Sequence, residues 1–117
     1  RRKGSRTFAK AMRYALSFPG TIAIPLYQVS RFASPQPFDA ILLRPDCLVR
    51  LVEVRTTSWG VAKPQTRALS RLPGLVVKQI WRFRRGQTVP DIREWQEENR
   101  VGDVAGWVVK DNPFESE

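Results

Sequence analysis

The segment FDAILLRPDCLVRLVEVR, residues 38–55, restricts this chain more than any other. Two apolar runs rich in Leu, Ile and Val flank the turn sequence Arg44-Pro45-Asp46, a pattern that predicts two strands joined as an antiparallel hairpin. Carboxylates stand inside that pattern: Asp39 opens the first run and Glu53 lies within the second. Successive strand residues alternate faces, so Glu53 and Arg55 point the same way, and the hairpin partner brings Asp39 beside them. Two carboxylates held together repel unless a cation bridges them. A metal ion or an arginine meets that need, and these residues alone leave both open.

The chain has no histidine. That excludes a Ser-His-Asp triad, a His-metal-His nuclease site and zinc fingers with histidine ligands. Any metal is therefore bound by oxygen, which favours Mg²⁺ or Mn²⁺. The single cysteine, Cys47, excludes an internal disulfide and suits a reducing interior. Without histidine it lacks the usual base for a nucleophilic role. No run approaches the ~20 apolar residues of a membrane helix, and no export signal is seen, so an intracellular, cytoplasmic protein is expected. The chain opens at Arg1 without methionine, so a slightly longer gene product is expected.

Charge is unevenly divided. Residues 1–90 hold 17 Lys and Arg against three acids, whereas residues 91–117 hold eight acids against three bases. A basic body of this kind attracts nucleic acid phosphates. The acidic segment is expected either to fold over the basic surface or to be solvated.

At 117 residues one domain is expected. In RTFAKAMRYALS, Phe8, Met12, Ala15 and Leu16 form one apolar helical stripe, with Arg6, Lys10 and Arg13 opposite and Pro19-Gly20 as the stop. TIAIPLYQV reads as a strand, and SRFASPQP as a loop carrying Arg31. PQTRALSRL reads as a helix headed by Gln65 on its apolar face, with Arg67 elsewhere. GLVVKQIWRF is a buried strand turned by RRGQ, PDIREWQEEN a helix, and VAGWVVK a last strand. The order predicts an α/β domain, a mixed sheet flanked by helices.

These residues resemble the PD-(D/E)XK nuclease superfamily and, within it, the archaeal-type Holliday junction resolvases. The likeness runs through RKGS, PFD, VEVR, PQTRAL and LVVKQIWRF, across residues 2–85, and leaves residues 91–117 as an acidic extension. It implies a restriction-endonuclease-like fold and a homodimer. It implies Asp39 and Glu53 as ligands of Mg²⁺ or Mn²⁺, the Val54 carbonyl as a third, and Gln65 as the family's helix glutamine. Two positions depart from the family. Arg55 stands where the family has lysine, and Phe8 stands near the place of a first-helix glutamate. Arginine cannot act as a general base, although it can clamp a phosphate bidentately. Lys63 is a candidate replacement amine.

The expected activity is metal-dependent endonucleolytic cleavage of branched DNA, above all four-way junctions. Catalysis would fall to Asp39, Glu53, Arg55 and Gln65. DNA contacts would fall to Arg1, Arg2, Lys3, Arg6, Lys10, Arg13, Arg31, Lys63 and Arg67. The alternatives are a related nuclease for mismatched, flapped or restricted DNA and a nucleic-acid-binding module without catalysis. Neutralising Arg6, Lys10 and Arg13 should flatten the salt dependence of DNA binding, whose log–log slope is about −0.9 per phosphate contacted. Fluorescence anisotropy across a salt series measures this, and an unchanged slope would place the DNA away from the first helix.

Overall fold

The 38–55 pattern is realised as a hairpin within a larger sheet. The computed structural model describes residues 2–26, 38–56, 59, 76–96 and 106–114. In chain order it contains helix α1 (Arg2–Leu16) and strands β1 (Ile22–Pro25), β2 (Ala40–Leu43), β3 (Val49–Arg55), β4 (Val76–Arg82), β5 (Asp91–Trp95) and β6 (Trp107–Lys110). The strands lie side by side in sequence order. All neighbours are antiparallel except the central pair, β3 with β4, which is parallel. Parallel strands need a crossover connection of a dozen or more residues, and the chain between Arg55 and Val76 is long enough for one. The helix expected over PQTRALSRL falls there, outside the described residues, as do residues 27–29 of the first expected strand.

The hairpin turn closes as its residues dictate. Cys47 donates its backbone N–H to the Arg44 carbonyl at 3.0 Å and takes the left-handed conformation, φ 66°. The Asp46 side chain accepts the Leu48 N–H at 3.0 Å. Asp46 also holds the Arg50 guanidinium with bonds of 3.2 and 2.7 Å. Arg50 is buried against the Phe114 ring, 4.8 Å from its centroid. A buried cation is tolerable only when paired in this way.

Strand alternation creates two apolar layers. On one face Leu42, Val52, Trp81 and Ile92 pack with Ala11 and Ala15 of α1 and with Phe83 and Phe114. On the other, Phe38 and Trp95 pack with Leu26, Leu51 and Trp107. Both Trp95 and Trp107 thus serve packing, meeting edge-to-face at 5.2 Å. The helix is rotated from its expected setting. Thr7, Ala11 and Ala15 are its buried line, whereas Leu16 is 57% exposed. Small residues let the helix approach a sheet surface already filled by Trp81, whose ring meets Tyr14 edge-to-face at 5.4 Å.

The expected C-terminal helix PDIREWQEEN is corrected: residues 91–95 form strand β5. Ile92 and Trp95 are spaced three apart, which suits a helix. Yet here Ile92 enters the α1 layer and Trp95 the opposite one. Pairing to β4 overrides the local preference, with Gln79 opposite Glu94 and Arg82 opposite Asp91. Of the acidic segment, residues 91–96 and 106–114 are described, and there β5 and β6 complete the sheet. One sheet and one helix among the described residues make a single α/β domain. No helix among them is long and apolar enough to cross a membrane.

Gln79 ties this corner together from a fully buried position. Its amide donates to Glu94 at 2.9 Å and to the Pro113 carbonyl at 2.8 Å, and accepts from the Trp81 indole N–H at 2.9 Å. Gln79→Leu strands a buried donor and a buried acceptor, each costing about 1–3 kcal/mol. Urea denaturation should show a loss of about 2–4 kcal/mol with an unchanged m-value. A loss below about 1 kcal/mol would show that the network is not holding the C-terminal turn.

Candidate active site

Strand β3 runs on past the start of β2, and Asp39 fills the gap. Its backbone N–H donates to the Val52 carbonyl at 2.8 Å, while its own carbonyl accepts from Leu26 at 2.8 Å. Its carboxylate accepts the Val54 N–H at 2.7 Å, replacing the ladder bond that a longer β2 would have made. One oxygen of Asp39 is thereby committed to backbone. Among the described residues no donor reaches the other.

Glu53 stands between the two points where Asp39 grips β3. Arg55, two residues on and so on the same face, pairs with it at 2.6 Å. The sheet therefore brings together the three charged groups singled out by their spacing, and the arginine bridge is present. That bridge does not settle the charge. Burial pushes Glu53 up to about 7, the Arg55 cation only partly opposes this, and the Asp39 charge adds to it. Asp39 is raised less, because the Val54 N–H and Arg55 counteract its burial. Arg55 has its own deficit: its Nε is buried without an acceptor among the described residues.

Val54 contributes through its backbone. The N–H and C=O of one strand residue leave on the same side. Its N–H goes to Asp39, so its carbonyl faces the same side, past the start of β2. Arg55 faces the other way, its carbonyl accepting from Phe83 at 2.9 Å. The donor set for a cation is thus two carboxylates and one carbonyl, all oxygen. No group of three or more acidic, Cys or His side chains exists among the described residues. Such an oxygen set is of the kind that Mg²⁺ could use with one or two carboxylates, its remaining positions being filled by water or phosphate.

Of the expected DNA contacts, Arg6 and Arg13 are exposed and Lys10 half-buried on α1. They lie across the sheet from Glu53 and Arg55, because α1 covers the Val52 face. Arg2 and Lys3 belong to the first turn of α1. Arg1, Arg31, Lys63, Gln65 and Arg67 lie outside the described residues. A neighbour that sequence reasoning missed is Arg82, placed directly beside Arg55 by the parallel register. VRLVEVR and VVKQIWR both end in arginine, but only the register across the crossover sets the two side by side.

Comparison with protein-family models, curated proteins and solved structures finds no match for this chain. The functional reading therefore rests on the geometry and the motifs.

Glu53 holds its proton in the folded protein up to about pH 7 but loses it near 4.5 when unfolded. More protons on the native state means that stability falls as pH rises between those values. This contribution should amount to about 1–3 kcal/mol, present below pH ~4.5 and gone above pH ~7. Urea midpoints at pH 5 and 8 should show a smaller decline in Glu53→Gln than in the parent. Equal declines would mean that Glu53 is ionised across the range.

Proposed function

We propose that this chain is a metal-dependent endodeoxyribonuclease of the PD-(D/E)XK type that cuts branched DNA, four-way junctions above all, as an intracellular homodimer. The observation that carries this reading is the convergence of Asp39, Glu53, the Val54 carbonyl and Arg55 at one point of the sheet. Asp39 and Glu53 would hold Mg²⁺ or Mn²⁺. When bound, the metal supplies a lowered pKa for water and stabilises charge on the leaving oxygen. The protein's own groups do the positioning. Asp39, braced by the Val54 N–H, offers its second oxygen. Glu53 must shed its proton and release Arg55. The freed guanidinium then meets a phosphate as a bidentate donor. Cations on both sides of the sheet suit DNA whose arms diverge better than one straight duplex.

A second reading, a nucleic-acid-binding module without catalysis, is favoured by the Glu53–Arg55 pair at 2.6 Å, which already neutralises part of the site. A labelled four-way junction and a matched linear duplex, each with and without Mg²⁺, separate the two. In the nuclease, Asp39→Asn and Glu53→Gln lower single-turnover cleavage by about a hundredfold or more, some 2.7 kcal/mol of barrier. Junction binding stays unchanged or tightens as a charge near phosphate is removed. Arg55→Lys shifts the cleavage rate with little effect on binding, because a rigid fork becomes a point charge. Binding without any Mg²⁺-dependent cutting would establish the second reading.

A further inference from the structure

The face of the sheet that carries Glu53 and Arg55 continues across β4 and β5 into a cavity of about 350 Å³. Its lining includes Trp59, Arg82, Arg84, Asp91, Arg93 and Lys110. Four of its lining residues are cationic against two carboxylates, Asp91 and Asp111. Two of the cations are held against an aromatic ring. The guanidinium carbons of Arg82 and Arg93 stand 4.4 and 4.2 Å from the centre of the Trp59 ring. Arg82 and Arg84 converge on a single oxygen of Asp91, at 3.0 and 3.4 Å. One carboxylate charge offsets only one of the two guanidiniums, and the buried Arg82 Nε has no acceptor among the described residues. Fixed guanidiniums with donor capacity to spare match the several acceptor oxygens of a phosphate.

Size and position narrow the ligand. The volume exceeds what one phosphate needs and falls within the range of small-molecule sites, roughly 300–1,000 Å³. Ile80 lies opposite both Glu53 and Arg93, so Arg93 is two strands from Glu53, about 10 Å at the usual strand spacing. That span is within the reach of a few nucleotides of one strand. We propose that this cavity is a phosphate subsite that holds one nucleotide unit of a DNA strand, within a few nucleotides of Glu53. The register rests on the nuclease reading, whereas the phosphate chemistry of the cavity does not. Asp91 acts as the built-in competitor that keeps Arg82 and Arg84 aligned until the strand arrives.

The test uses the whole chain in EDTA, so that no cleavage is required. A labelled single-stranded oligonucleotide is followed by anisotropy over a salt series, and thymidine monophosphate and inorganic phosphate are titrated by calorimetry. Arg84→Ala and Arg93→Ala should each weaken oligonucleotide binding about three- to thirtyfold and reduce the salt slope by about 0.7, the single-strand value. Arg84 is 61% exposed, so its variant keeps the fold even if loss of Arg93 disturbs the Trp59 contact. Unchanged affinity and slope in both variants would overturn the subsite. So would variants that lose thymidine monophosphate or phosphate binding while the oligonucleotide binds as before, since the cavity would then serve a free small anion. The nuclease reading fails separately. Altered slopes in a protein that never cuts with Mg²⁺ would leave the subsite standing without it, and Mg²⁺-dependent cutting with unaltered slopes would do the reverse.

Discussion

The parallel pairing of β3 with β4 at the centre of an otherwise antiparallel sheet is the constraint on which the rest depends. It sends the ends of both strands out at one edge and sets Arg55 beside Arg82. In open α/β sheets the crevice beyond the carboxyl ends of the strands is the usual ligand position, because side chains there are held rigidly yet remain accessible. Here the neighbour β2 begins only at Ala40, so the last residues of β3 have no strand on that side. Asp39 supplies what is missing, and its carboxylate becomes part of the sheet's own hydrogen bonding.

Three partners compete for Glu53: a proton, the Arg55 guanidinium and, in the proposed function, a divalent cation. Burial favours the first, since a half-buried carboxylate beside another carboxylate is costly to ionise. The arginine removes only part of that cost. A doubly charged ion would remove more, and Glu53 would have to lose its proton to hold it. Below about pH 7 the protonated form of Glu53 is therefore favoured, and the surplus of positive charge in the chain does not abolish that bias. The Glu53–Arg55 ion pair is what a purely structural role would leave, and the burial that raises Glu53 to about 7 acts against that pair.

Much of this was legible in the residues. The hairpin followed from two apolar runs around a Pro-Asp turn, and the convergence of Asp39, Glu53 and Arg55 followed from strand alternation alone. The α1 segment was legible as a helix but not in its rotation. Nothing in its stripe announced that Trp81 would occupy the sheet surface and admit only alanines at closest approach. β5 was misread because Ile92 and Trp95 satisfy a helical spacing and Pro90-Asp91 suits a helix start. Only the demand of β4 for a partner decides otherwise. Arg82 was hidden for a related reason: its position depends on the register across a crossover, which no local pattern encodes. The cavity beyond it, built by Trp59 against β4 and β5, is a wholly non-local object.

The bond from the Val54 amide to Asp39 has one further consequence. An amide proton held by a carboxylate resonates differently from one held by a neutral acid, and it exchanges with solvent only when that bond opens. The Val54 N–H therefore reports on the charge of Asp39 from inside the backbone, with no probe attached. Proton, metal and phosphate would each leave a distinct mark on this one resonance. The order in which they occupy the site is thus written in a signal that the strand itself supplies.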